Sequence, residues 1–120
     1  MGDYRKLRVW RRAHALAIEV YTATKTFPAT ERYGLVIQVR RAAVSTACNI
    51  VEGCGRNRSK ETAQFVRVAL GSCTELEYQI LLCGELRFLD QDLVCRLTRA
   101  TVELRGMLAS LHQRLVRDPV

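Results

Sequence analysis

A chain of 120 residues carrying a formal charge of +7 suits one packed domain, residues 1–120, and is too short for several. Its five cysteines (Cys48, Cys54, Cys73, Cys83, Cys95) form an odd set without a CxxC pair, and no apolar run approaches the length of a membrane span or follows the amino-terminal charges as a signal peptide would. A disulfide scaffold and a membrane protein are therefore not expected, and a reduced, cytosolic protein is.

The two prolines lie at positions 28 and 119, which leaves long spans free for helices. From Val9 to about Thr26, Val9, Trp10, Ala13, Leu16, Ala17, Val20, Tyr21 and Thr24 recur at spacings of three and four, an amphipathic helix that Phe27-Pro28 interrupts. Thr30 offers an N-cap for a second helix over about Glu31 to Val51, with Leu35, Val39, Ala42, Ala43, Thr46, Ala47 and Ile50 facing inward. Between Arg41 and Cys48 nearly every side chain is small, so another helix can approach closely. Gly53 and Gly55 are expected to end this helix in the left-handed conformation.

Ser59 is the expected cap of the third and longest helix, whose inner stripe reads Phe65, Ala69, Ser72, Leu76, Ile80, Cys83 and Leu86. Asp90 caps a fourth, with Leu93, Leu97, Ala100, Leu104, Met107 and Leu111 at alternating spacings of four and three. Short connections imply an all-α, antiparallel up-down-up-down four-helix bundle. Val36, Ile37, Val44, Val66, Val68, Leu70, Leu81 and Leu82 fall off these stripes, and such a surplus predicts a further buried surface in a homo-oligomer.

Charge is unevenly spread. Residues 1–39 and 40–60 each carry net +4, residues 61–95 carry −4 and residues 96–120 carry +3. Sixteen of the 19 basic residues are Arg, whose planar fork suits phosphate and carboxylate. One basic cluster is Arg5, Lys6, Arg8, Arg11 and Arg12, interleaved with Tyr4 and Trp10; a second, Arg56, Arg58 and Lys60, surrounds a Gly-rich turn. Either is a solvated face or a set of phosphate contacts to RNA or DNA. Trp10 also fits the inner stripe of helix one.

No catalytic, metal or cofactor constellation is legible. His14 and His112 lack the Glu three residues earlier that a di-metal bundle requires, and the GCGR stretch lacks the Gly-Lys-Ser/Thr of a phosphate-binding loop. Arg41, Glu52 and Glu75 read as a structural ion pair fixing the register of helices two and three. The expectation is a non-enzymatic protein.

Trp10, Phe27-Pro28, Tyr33 to Leu35, RRAAVS at Arg40 to Ser45, NIVEG at Asn49 to Gly53, Gly55-Arg56 and GSCTEL at Gly71 to Leu76 stand in the order of a bacterial family that this chain resembles, the intervening-sequence proteins of large-subunit ribosomal RNA genes. The chain is more distantly similar to accessory proteins of diversity-generating retroelements. The resemblance implies a four-helix bundle assembling as a ring of five, contact with nucleic acid, and association with a reverse transcriptase as an alternative partner. Val51 stands where the family commonly has Ala, and Arg87 where a Gly often ends the third helix.

Overall fold

The computed structural model describes residues 2–117. A 3-10 turn, Tyr4–Lys6, precedes α1 (Arg8–Thr24); a second, Ala29–Glu31, precedes α2 (Leu35–Cys54); then come α3 (Ser59–Glu85) and α4 (Gln91–Arg117). α1 packs on α2 and α4, and α3 packs on the same two, which closes a four-cornered rod of 48 × 22 × 20 Å. Partner numbers fall on one helix as they rise on its neighbour: Arg12 meets Glu103 while Glu19 meets Arg96, and Ser45 meets Ser72 while Gly53 meets Thr62.

The core is a 3.5-residue seam on every helix. α1 buries Val9, Ala13, Leu16 and Val20; α2 buries Val36, Val39, Ala43, Thr46 and Ile50; α4 buries Leu97, Thr101, Leu104 and Leu108. On α3 the seam is Thr62, Val66, Ala69, Cys73, Leu76, Ile80 and Cys83, all at alternating four and three. Of the expected stripe, Ala69, Leu76, Ile80 and Cys83 lie on this seam, whereas Phe65 and Ser72 are only half-buried and Leu86 is 50% exposed. α3 is apolar on several faces, so hydrophobicity alone leaves its rotation open, and the small Thr62 and Cys73 sit where the neighbouring helices press closest. At 27 residues it equals α4 in length.

Caps account for the remaining shifts. Gly34 breaks the chain before α2, so Thr30 lies in the 3-10 turn and is no cap; instead a Glu31 carboxylate oxygen accepts from the Leu35 amide at 3.4 Å. Gly55 has φ −80° and Gly53 remains helical. Neither adopts the left-handed conformation. A Cβ on Gly53 would stand 3.2 Å from the Phe65 Cβ and 3.4 Å from the Thr62 carbonyl oxygen, and Thr62 donates to the Gly53 carbonyl at 2.9 Å, so this glycine permits the close approach of α3. Ser59 is already helical and Arg58 precedes it without a side-chain cap. Asp90 caps as expected, accepting from the Leu93 amide at 2.8 Å.

α3 ends in a Schellman motif. Phe88 N–H donates to the Cys83 carbonyl at 2.9 Å and Arg87 N–H to that of Gly84 at 3.0 Å, which places Arg87 at φ 65°. An L residue with a Cβ pays about 1 kcal/mol there. Arg87→Gly is therefore expected to raise unfolding stability by about 0.5–1 kcal/mol, read as a higher urea midpoint at unchanged slope.

Burial holds the core thiols protonated. Desolvation raises the Cys73 pKa to about 12, with the nearby Arg105 lowering it and Glu77 raising it to lesser degrees; burial likewise raises Cys83 to about 11. Both values exceed the ordinary 9.0, so the unfolded chain ionises first. This contribution to stability is complete below about pH 9 and is lost as pH rises toward the folded values. Urea midpoints at pH about 8 and about 10.5 should fall less in Cys73→Ser than in the native chain.

Candidate nucleic-acid interface

Two basic clusters separated by more than forty residues share one half of the rod, the first reaching from its mid-length, where Arg12 meets Glu103, toward the end that holds the second. The Tyr4–Lys6 turn lies against both α1 and α2. At the far end of α2 the Cys54 thiol, its pKa raised chiefly by burial, also senses the charge of Asp3. The turn carrying Arg56, Arg58 and Lys60 therefore sits beside the segment carrying Arg5, Lys6, Arg8, Arg11 and Arg12. α4 finishes here too: Arg114 and Arg8 line one cleft of about 570 Å³ with Leu7, Met107 and Ser110. Arg114 and Arg117 occupy the last turn of α4, where cations offset the negative end of the helix dipole.

These cations are not equivalent. Asp3 accepts from the Arg5 backbone N–H at 3.0 Å and from its guanidinium at 3.3 Å, and the backbone bond first, then the side-chain bond and charge, lower its pKa. Arg12 pairs with Glu103 across α1 and α4. Arg56 pairs with Glu52 at 3.2 Å and lies over the Phe65 ring at 4.6 Å. Arg11 donates to the Arg5 carbonyl at 3.3 Å. Among the described residues Lys6, Arg8, Arg58 and Lys60 are exposed and have no carboxylate partner, which leaves them the readiest phosphate contacts of the eight. The sequence clusters thus come together, and Arg114 is an addition that more than a hundred residues of separation from Arg8 conceals.

The expected register pair does not form within the chain. Arg41 and Glu75 are both exposed and take no part in its ion pairs, while Glu52 points its charge to Arg56, one turn further on. An i, i+4 pair needs no alignment of two helices, so it wins over one that does. Helices α2 and α3 are matched instead by Ser45 and Ser72, whose hydroxyls lie 2.9 Å apart, and α3 and α4 by Arg105 with Glu77 at 2.9 Å.

Trp10 packs against the core at its margin. Tyr4 meets it edge-on at 4.9 Å and His14 stacks on it at 4.8 Å, so its ring faces are already engaged by the chain itself. Together with Ile18, Tyr21, Val44, Cys48 and Val51 it lines an open apolar groove of about 640 Å³ between α1 and α2. Across the rod, between α3 and α4, Tyr78 is 60% and Leu81 51% exposed. Of the surplus apolar residues, Val36 and Val66 enter the core, whereas Val44, Val68 and Leu81 remain outside.

Fold and site together define a small all-helical protein with one cationic end and two apolar flanks. The chain belongs to the 23S rRNA-intervening sequence protein family, which matches residues 5–110. In fold it is similar to a crystal structure from Bacteroides thetaiotaomicron, that of a protein with unknown function from the S23 ribosomal protein family. The TM-score is 0.78 at 17% identity, over 87% of this chain and 97% of that one. No curated protein matches it. No described helix is long and apolar enough to cross a membrane.

Proposed function

We propose that this protein is a non-enzymatic, cytosolic, up-down-up-down helical bundle that self-associates through its apolar flanks and binds RNA or DNA by phosphate neutralisation at its basic end. The observation that carries the reading is the gathering of both basic clusters and Arg114 in one half of the rod, where, among the described residues, Lys6, Arg8, Arg11, Arg58 and Lys60 have no carboxylate partner. Arginine forks and lysine ammoniums on a surface without a base-reading element favour backbone contact over sequence readout. The family's name, which ties it to 23S rRNA, is in keeping with a polyanionic partner. In a ring of five, the size the resemblance implies, five such ends would act as one multivalent site, so modest affinity per subunit suffices.

The test is the salt dependence of binding to structured RNA and to duplex DNA, beside Arg56→Ala/Arg58→Ala/Lys60→Ala. On duplex DNA each lost phosphate contact lowers the slope of log affinity against log salt by about 0.9, so the triple variant should flatten it by up to about 2.7 and weaken binding at least tenfold at low salt, at unchanged oligomer mass. Absence of binding by the native chain at low salt overturns the reading and leaves a protein scaffold, with a reverse transcriptase among its candidate partners, as the better one.

A further inference from the structure

The opposite end of the rod has a different basic feature, in the corner where α1 passes into α2. A pocket of about 300 Å³ there is lined by Thr24, Lys25, Phe27, Arg32, Val36 and Arg40, among others, and by no carboxylate. Phe27 stands 5.3 Å from Phe88, the residue just beyond the end of α3, which sets this corner at the far end of the bundle from the Arg56 turn.

Arg40 is the least exposed of the three cations lining the pocket. It is half-buried, and its position is fixed from three directions: Nε donates to the Thr24 hydroxyl at 2.8 Å, Nη2 donates to the Tyr21 carbonyl at 3.4 Å, and the guanidinium lies 4.4 Å from the centroid of the Tyr21 ring. Thr24 is itself 4% exposed and held by donation to the Val20 carbonyl at 2.9 Å, so the partner that orients Arg40 cannot turn away. These bonds satisfy the end of α1 and occupy two of the guanidinium nitrogens. The remaining donors have no partner among the described residues. Arg5, Arg12, Arg56, Arg96 and Arg105 all pair with carboxylates, yet the half-buried Arg40 has none, and neither do Lys25 and Arg32 beside it.

A partly desolvated cation that is held rigid and left without a counter-charge is costly unless an anion supplies it. The same rigidity removes most of the ordering cost when that anion binds. Planar guanidinium forks and one flexible ammonium on a single small pocket match tetrahedral oxyanions carrying two or more charges. We propose that the Lys25–Arg32–Arg40 pocket is a binding site for a phosphate-class polyanion, either a free ion such as pyrophosphate or a phosphate of a nucleic-acid strand, separate from the basic end.

The experiment is calorimetric titration of the full-length protein with pyrophosphate, and separately with a short single-stranded oligonucleotide, at low ionic strength. Three proteins are compared: the native chain, Lys25→Ala/Arg32→Ala, and Arg56→Ala/Arg58→Ala/Lys60→Ala. Lys25 and Arg32 are exposed, so their removal should leave the thermal midpoint of the free protein unchanged. The site predicts saturable pyrophosphate binding that falls at least about tenfold in the Lys25/Arg32 variant and persists in the Arg56/Arg58/Lys60 variant. Arg40→Lys should weaken it as well, because an ammonium keeps the charge and loses the fork. Oligonucleotide binding that falls with pyrophosphate binding in the Lys25/Arg32 variant names a nucleic-acid phosphate as the source; loss of pyrophosphate binding alone names a free ion. No saturable heat with either ligand, heat undiminished by the Lys25/Arg32 change, or equal heat from sodium chloride at matched ionic strength overturns the proposal.

Discussion

Leu76→Ala should cost about 3–4 kcal/mol of unfolding stability, the largest effect expected from a single substitution outside the glycines. Leu76 is fully buried in the middle of the α3 seam, between Cys73 and Ile80, which are equally inaccessible. Truncation removes the transfer energy of three methyl or methylene carbons and leaves a cavity that helices packed on two sides cannot close. Marginal domains retain only about 5–15 kcal/mol in total, so the variant should melt roughly ten degrees or more below the native protein. The matched control is Leu81→Ala. Leu81 lies on the same helix but is 51% exposed, so its truncation should leave the stability of the dissociated chain within about 0.5 kcal/mol. A small effect at Leu76 would mean that the α3 seam has been placed on the wrong face.

The second large effect concerns association. Ile18→Glu or Val44→Glu puts a carboxylate into the groove between α1 and α2, where those side chains are 55% and 37% exposed in the single chain. If that groove is buried between copies, an unpaired desolvated charge costs several kcal/mol, so the association constant should fall at least a hundredfold. The readout is mass by sedimentation equilibrium, with helical content by circular dichroism to show that each chain still folds. Tyr78→Glu and Leu81→Glu on the opposite flank distinguish two modes. A head-to-tail contact, the kind that closes rings, loses assembly from changes on either flank, whereas a two-fold contact of groove on groove ignores the second flank. Unchanged mass for all four variants would remove the apolar flanks as the assembly surface.

Much of this protein was legible in its sequence, because its information is local and periodic. Four helices, the stop at Phe27-Pro28, the Asp90 cap and the seam of α1 follow from spacing and from single residues whose physical chemistry admits few alternatives, whereas on α4 Leu97 and Leu104 are buried as expected but Thr101 and Leu108 complete the seam in place of Ala100, Met107 and Leu111, which are only partly buried. The seam of α3 was legible only in part: Ala69, Leu76, Ile80 and Cys83 follow from spacing, but Val66, Val68, Leu70, Leu81 and Leu82 make several faces apolar, and contact with α2 and α4 decides that Thr62, Val66 and Cys73 turn inward. Gly53 reads as a helix stop in isolation and proves to be a place where Phe65 and Thr62 come within 3.2 and 3.4 Å of where a Cβ would stand, so that a side chain would press on them.

The candidate sites divide in the same way. Sequence determined that two stretches are rich in Arg and Lys, because clustering along the chain is visible there. Only the tertiary structure decided that both stretches, with Arg114, lie in one half of the rod, that Arg12 is held by Glu103 across α1 and α4, and that Arg40 stands half-buried without a carboxylate among the described residues. The physical reason is that electrostatic pairing depends on distance through space, and a charge falls beside another according to how helices of particular lengths return on one another. Helix formation is decided within a few residues, while the company a charged side chain keeps is decided by the whole packed bundle.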